Sequence, residues 1–464
     1  MITVVKILIK PDRYPKFAEY ADRDSAQAKL LYNAAMFRLR QTFTGWDKEN
    51  RTDHEEEVFA EIAHTQTVYP SFKAKRVLNY NALDKIMRAN QNADFYAGMP
   101  MQSAQHVVRQ AVEAFKDWLK ALKAYKKKPS AFTGRPKMPG YKKSDKSTFS
   151  ITNQDAVLYP VKDGNGNVLP DQMRLKLPGM KKEDQLILHG ISNAVKLKQV
   201  TIKPLYGCYM IALTVETNAN VSVLTGCSEK AGLDLGIDNI AALACTDRTS
   251  VVYKGGAVLS ENRWFAKKKA DAVSAITCGH KHMHAESAYL DRLSLNHEMR
   301  TTNFMHQCSR KIVSWCVKHK VSTLVIGRNK QWKQKADMGK VGNQRFVSVP
   351  HYQLIQMIEY KAAIAGIRVI EQEESYTSRA DISAMDHIPV YGDPKADSSY
   401  TFSGRRVQRG LYRTHEGYTI NADCNGAANI LRKAIPGAWE GINDFRFLGL
   451  PEAMSYQQII GSAA

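Results

Sequence analysis

Beyond Thr225 the chain alternates between two hydrophobic periods, and that alternation restricts its fold more than any other feature. Short apolar runs of strand length, Ala231-Gly-Leu-Asp-Leu-Gly236, Thr323-Leu-Val-Ile326 and Arg368-Val-Ile370, are separated by stretches of helical spacing, between about 262 and 319 and over 352–365. Strands that alternate with helices this long read as an α/β domain. Cys308, Ile312 and Cys316 follow one another at four-residue steps, which puts both thiols in a helix core. The seven cysteines are odd in number and contain no CxxC pair, which argues against a disulfide framework and against a cysteine-based zinc ribbon.

The front half follows other patterns. Residues 1–10 alternate as a strand, Pro11 and Pro15 punctuate, and 25–43 and 102–125 carry apolar residues at helical spacing. The second of these has one continuous stripe: Val107, Val108, Ala111, Val112, Phe115, Trp118, Leu119 and Leu122. Together the two suggest a helical lobe over 21–125. At 126–143 Gly and Pro forbid a long helix while cations interleave with aromatics, so the segment is expected to be extended. From Ser147 to Glu216 short β-runs are broken by turns at Asp163-Gly-Asn-Gly166 and Leu205-Tyr-Gly207, a spacing that suits a small β-barrel.

Charge narrows the class of partner. Sixty-six Lys and Arg against 45 Asp and Glu leave a formal +21, so a polyanion is the natural ligand. No window approaches the roughly 18 apolar residues of a membrane span, and the first ten residues lack the pattern of a secretory signal. The reading is a cytoplasmic protein with no membrane role. His280, His282 and His284 alternate without acidic or cysteine support, which reads as a solvated helix edge and not as a metal site.

Two acids stand out. Asp234 sits inside an apolar strand, where a carboxylate is costly unless paired or metal-bound. Asp423 precedes Ala427-Ala-Asn-Ile430 near a helix start, so it reads either as an N-terminal cap or as a partner of Asp234. The order of strand-acid, long helices, strand, helix, strand, irregular excursion and acid-helix favours the pair. Cutting a phosphodiester with two divalent ions needs several carboxylates to converge.

Four segments, Gly232-Leu-Asp-Leu-Gly236, Val325-Ile-Gly-Arg-Asn-Lys-Gln-Trp-Lys-Gln334, Glu373-Glu-Ser-Tyr-Thr-Ser378 and Asn421-Ala-Asp-Cys-Asn-Gly-Ala-Ala-Asn-Ile430, occur in the order found in the TnpB family of transposon-encoded, RNA-guided nucleases, relatives of the type V CRISPR effectors. The chain resembles that family over nearly its whole length. Gly134-Arg-Pro-Lys-Met-Pro-Gly-Tyr-Lys-Lys143 looks like the basic segment that leads into the family's wedge barrel. The resemblance implies a multidomain α+β chain: a split, OB-like wedge β-barrel over 1–20 and 126–225 around the helical recognition lobe at 21–125. An RNase H-like (RuvC) α/β domain with a loop insertion then covers 226–436, and 437–464 is left as a tail. It further implies an RNA-guided, Mg²⁺-dependent DNA endonuclease with a two-metal site and one cutting centre. Its partners would be a guide RNA from the transposon end, or a CRISPR RNA, and double-stranded target DNA beside a short flanking motif. A monomer is favoured.

The chain departs from the family in two places. Where many members end the fourth strand with a catalytic glutamate, this chain has Gly327. Glu373 and Glu374 end the neighbouring strand, about 4.8 Å away in a parallel sheet, within reach of a Glu side chain, and a subgroup with a relocated acid is implied. Catalytic and metal-holding residues are then Asp234, Asp423 and one of Glu373 or Glu374, which the sequence does not separate. The insertion at 379–419 lacks the four cysteines of a zinc ribbon, so no zinc is expected. It keeps Arg405, Arg406, Arg409 and Arg413, which together with Lys126, Lys127, Lys128, Arg135, Lys137, Tyr141, Lys142, Lys143, Trp332 and Lys333 are expected to meet nucleic acid. Two rival functions remain: an RNA-guided DNA-binding repressor whose nuclease was lost at Gly327, and a transposase that joins DNA ends.

Overall fold

The chain divides into two units, Met1–Ala219 and Asn220–Ala464. A computed structural model describes residues 2–192, 195–217, 226–280, 283, 285–328, 349–390 and 400–461.

The first unit runs β1 (Ile2–Ile9), α1 (Pro15–Gly45), α2 (Asp53–Val68), α3 (Tyr80–Ala89) and α4 (Met101–Lys127). It continues with β2 (Phe149–Thr152), β3 (Val157–Lys162), β4 (Val168–Lys176), β5 (Leu186–His189), β6 (Val195–Leu205) and β7 (Cys208–Thr217). Pro15 occupies the first helical position, where its missing N–H costs nothing, so α1 begins ten residues earlier than apolar spacing alone suggested. The short α2 and α3 were not expected. Their start signals are nonetheless in the sequence: Thr52 and Glu55 form a capping box, and Asn79 accepts from the Ala82 N–H. In α4 the inner part of the stripe, Val107 to Phe115, is fully buried, whereas Trp118, Leu119 and Leu122 are half-buried. The strands form an antiparallel sheet ordered β1-β7-β6-β2 and a separate sheet ordered β3-β4-β5. Among the described residues these pairings do not close into the expected barrel.

The second unit contains β8 (Glu229–Asp234), β9 (Asn239–Cys245), β10 (Thr249–Lys254), α5 (Gly256–Thr277), α6 (Ala288–Lys318), β11 (Val321–Gly327), α7 (His351–Ile364) and β12 (Arg368–Gln372). After these come β13 (Arg405–Gln408), β14 (Leu411–Arg413), β15 (Thr419–Asn421), α8 (Ala422–Ala434), β16 (Glu452–Met454) and α9 (Tyr456–Ile460). A six-stranded mixed sheet is ordered β12-β11-β8-β9-β10-β16, with β8, β11 and β12 parallel. Alternation along its strands divides the core in two. Ala231, Leu233, Leu324 and Ile326 pack with Cys308, Ile312 and Cys316 of α6 on one face. Val325 packs with Ala427, Ala428 and Leu431 of α8 on the other. Each fully buried Leu or Ile here contributes about 1.5–3 kcal/mol.

The excursion expected to be irregular contains the three-stranded sheet β13-β14-β15, pinned by the buried Tyr412, whose hydroxyl donates to the Arg379 carbonyl at 2.7 Å. The last 28 residues also contribute: Trp439, Phe445 and Leu448 are buried against α8, β16 extends the sheet in parallel beside β10, and Ile459 is buried in the α6 core. His280 lies exposed beyond the end of α5, not on a helix edge, and His282 and His284 lie outside the described residues. Among the described residues no helix is long and apolar enough to cross a membrane.

Candidate active site

Asp234 is the last residue of β8, and strand alternation sends it and Gly232 toward α8. Gly232 is obligatory there: a Cβ would stand 1.9 Å from the Ala427 carbonyl oxygen, so a side chain would push the helix off the sheet. Gly426 of α8 performs the reciprocal service, since a Cβ on it would lie 2.6 Å from Asp234 Oδ2. The two glycines bring the start of α8 down onto the carboxylate.

Asp423 belongs to the first turn of α8 and is not its cap. Asn421 is the cap, its Oδ1 accepting from the Asp423 and Cys424 N–H groups at 3.0 and 3.1 Å. That leaves the Asp423 carboxylate for other work. Its Oδ2 accepts from Asn239 Nδ2 at 2.7 Å and its Oδ1 from Arg406 Nη2 at 3.2 Å. Asn239 opens β9, so two adjoining strands and one helix meet at the two aspartates.

The position of the third acid follows from the register. Ile326 pairs with Leu233, which brings Gly327 level with Asp234, and Gly327 pairs with Gln372 on its other side. The two glutamates follow at once, and they diverge. Glu373 turns to Lys433 of α8, whose Nζ donates to its Oε2 at 2.6 Å and also to the carbonyls of Ser375 and Pro389. Its other oxygen accepts from the Ser375 N–H at 2.7 Å. Glu374 turns inward: its Oε2 is withdrawn from solvent and lies 2.8 Å from where a Cβ on Gly327 would stand. The glutamate carboxylate thus fills the room that the absent side chain at 327 leaves.

Electrostatics tie the acids together. Burial, then the neighbouring Asp423, hold the Asp234 carboxyl well above the usual carboxylate range, with Arg406 opposing. Burial, then Asp234, raise Glu374 likewise. Glu373 is held low by Lys433 and Ser375 against the pull of its burial. Among the described residues no three His, Cys, Asp or Glu side chains close into one metal-holding group; the acids are arranged pairwise around Asp234. A crowded set of desolvated carboxylate oxygens still fits a hard divalent cation, which would relieve the repulsion.

The remaining candidates are scattered. Lys126, Lys127, Lys128, Arg135, Lys137, Tyr141 and Lys143 are exposed, whereas Lys142 is half-buried, its ammonium 4.0 Å from the centre of the Tyr32 ring. Arg405 and Arg413 face each other across the β13-β14 pair, and Arg409 Nη2 meets Asp238 Oδ2 at 2.5 Å. Trp332 and Lys333 lie outside the described residues. Three contributors were missed in the sequence: Asn239, Gly426 and Lys433. Of these only Gly426 carried a local signal, as a glycine inside a helix facing an acid-bearing strand.

Two family profiles match the chain: one described as "Probable transposase" over 214–333, and the Cas12f1-like TNB domain over 351–430. A TnpB-like protein of Acidianus two-tailed virus is 26% identical over 211 residues, which cover 44% of this chain and 42% of that protein. The CRISPR-associated endodeoxyribonuclease Cas12f1 of Sulfoacidibacillus thermotolerans is 32% identical over 137 residues, 29% of this chain and 26% of that protein. The matches thus span less than half the length of either curated relative. Among solved structures, the mini-RNA-guided endonuclease CRISPR-Cas_phi3 aligns over 98% of this chain and 93% of its own at 11% identity and a TM-score of 0.45. A Cas12f1-sgRNA-target DNA complex aligns over 94% of this chain and all of its own at 13% identity and a TM-score of 0.34.

Proposed function

We infer that this TnpB- and type V effector-like chain is an RNA-guided DNA endonuclease with one cutting centre, formed by Asp234, Asp423 and Glu374. The observation that carries the reading is the Glu374 carboxylate lying in the space left by Gly327, level with Asp234 across the sheet. A glycine at 327 is then the condition for the relocated acid and not a mark of a lost site.

Asp234, Asp423 and Glu374 would hold Mg²⁺, which when bound supplies Lewis-acid stabilisation of the phosphoryl oxygens and an activated water. Asn239 orients Asp423. Arg406 balances its charge and stands ready to meet an incoming phosphate. Lys433 fixes Glu373 and with it the turn that aims Glu374 inward. No zinc is called for. Guide RNA and double-stranded target DNA are the proposed partners, in keeping with a net charge of +21, and a short motif beside the target is the proposed licence for cutting.

The test is to incubate the purified chain, assembled with guide RNA, with a matched supercoiled plasmid and Mg²⁺. Linear product is expected; tight binding with the plasmid left supercoiled would instead establish the repressor. Joining of transposon ends without RNA would establish the transposase.

A further inference from the structure

Residues 134–143 have no regular secondary structure, yet they are fastened along the helices of the first unit. Asn33 and Arg40 stand seven residues apart on one face of α1. The Lys142 N–H donates to Asn33 Oδ1 at 2.7 Å, and Asn33 Nδ2 donates back to the Lys142 carbonyl at 3.1 Å. Arg40 Nη1 donates to the Pro139 carbonyl at 2.6 Å, and Trp118 Nε1 of α4 donates to that of Pro136 at 3.2 Å. The Lys142 ammonium is turned inward, over Tyr32 and onto the Ser147 hydroxyl.

With its inner groups so occupied, the segment presents Arg135, Lys137, Tyr141 and Lys143 outward. Tyr141 remains 44% exposed while the Arg40 guanidinium lies 5.5 Å from its ring centre. A rigid aromatic ring, backed by an anchored cation and flanked by solvated cations, is how proteins hold single-stranded nucleic acid without reading its sequence. Because the segment is already ordered, binding spends little conformational entropy on it.

We propose that Arg40 and Tyr141 form a stacking platform for an unpaired nucleotide of single-stranded nucleic acid, with Lys137 and Lys143 taking its phosphates. The platform rests on the proposed function only for its class of ligand and is independent of cutting. The test uses the full chain in EDTA and measures fluorescence anisotropy with fluorescein-labelled 20-mers of oligodeoxythymidine and of oligouridine. Tyr141→Ala is expected to weaken one or both about tenfold, and Tyr141→Phe to stay within twofold of the parent. The probe that loses more identifies DNA or RNA as the strand held. Tyr141→Ala should leave the salt dependence unchanged, whereas Lys137→Ala with Lys143→Ala should reduce its slope by about 1.4.

Tyr141 is exposed, so its variants should melt as the parent does. Binding of both probes by Tyr141→Ala within twofold of the parent would overturn the platform, as would a flattened salt slope in that variant. A chain that leaves matched plasmid uncut yet shows this binding pattern would sink the nuclease reading and keep the platform.

Discussion

Replacing Gly327 with alanine adds one carbon where the structure has no room for it. The new Cβ would stand 2.5 Å from Ile430 Cδ1 and 2.8 Å from Glu374 Oε2. Carbon atoms sit comfortably at roughly 3.5–4.0 Å, so the isoleucine methyl must retreat by about 1 Å and the carboxylate by somewhat over half that. The methyl is the far end of a flexible chain, and such overpacking costs about 1–3 kcal/mol of stability. The carboxylate is different, because a displacement of about 1 Å at a reacting centre is worth roughly a hundredfold in rate. Gly327→Ala is therefore expected to lower the single-turnover cleavage rate of a matched linear duplex by roughly tenfold or more, with only a modest shift in the urea midpoint. Combining it with Ile430→Val removes the atom at 2.5 Å. That double variant should regain the midpoint and not the rate. A Gly327→Ala chain that cuts within threefold of the parent would show that Glu374 does not work from the space beside residue 327, as would recovery of both quantities in the double variant.

Two further outcomes follow from the same geometry. Gly232→Ala would drive a Cβ to 1.9 Å from the backbone oxygen of Ala427, which no rotamer can relieve; a loss of about 3 kcal/mol or more is expected in urea unfolding, and a loss under 1 kcal/mol would show that α8 does not approach β8 so closely. Asp234 and Glu374 have raised values in the folded, metal-free chain, so folding takes up protons between the unfolded range near about 4 and those raised values, and the stability they confer is present at low pH and lost as pH rises. The urea midpoint of metal-free protein should fall from pH 5 to pH 8.5 more steeply than that of Asp234→Asn, and Mg²⁺ should raise it more at pH 8.5 than at pH 6; parallel pH profiles for the two chains would contradict the burial assigned to Asp234.

What could be read from the sequence depended on how local the cause was. Asp234 announced itself because a carboxylate in an apolar strand is costly wherever that strand packs. By the family resemblance Gly327 stands where an acid was expected, and its neighbour strand limited the candidate substitutes to two. Choosing between the two required Lys433, sixty residues away in sequence, whose grip on Glu373 settles which glutamate turns outward. Asn239 was hidden in the same way, 184 residues from the Asp423 carboxylate it meets, and the Arg406–Asp423 pair forms only once β13 and α8 are folded together. The helices α2 and α3 were overlooked although Thr52, Glu55 and Asn79 signal their starts, because α2 buries Val58 and Ile62 alone among its apolar side chains and the ten residues of α3 give a period too few turns to show. The residues after Pro436 looked featureless because β16 has only three residues and Trp439 is held by the Ala428 carbonyl and the rings of Phe445 and Phe447, in a stretch with no helical or strand period.

The measurement that bears most directly on the central claim compares Glu374→Gln with Glu373→Gln in the guide RNA complex, on a matched duplex with Mg²⁺. Loss of a metal-holding carboxylate should cost more than about a hundredfold. That loss is expected for Glu374→Gln, while Glu373→Gln stays within about tenfold of the parent, since Glu373 acts only through the turn it anchors. Normal cutting by Glu374→Gln, or a dead Glu373→Gln beside an active Glu374→Gln, would contradict that claim.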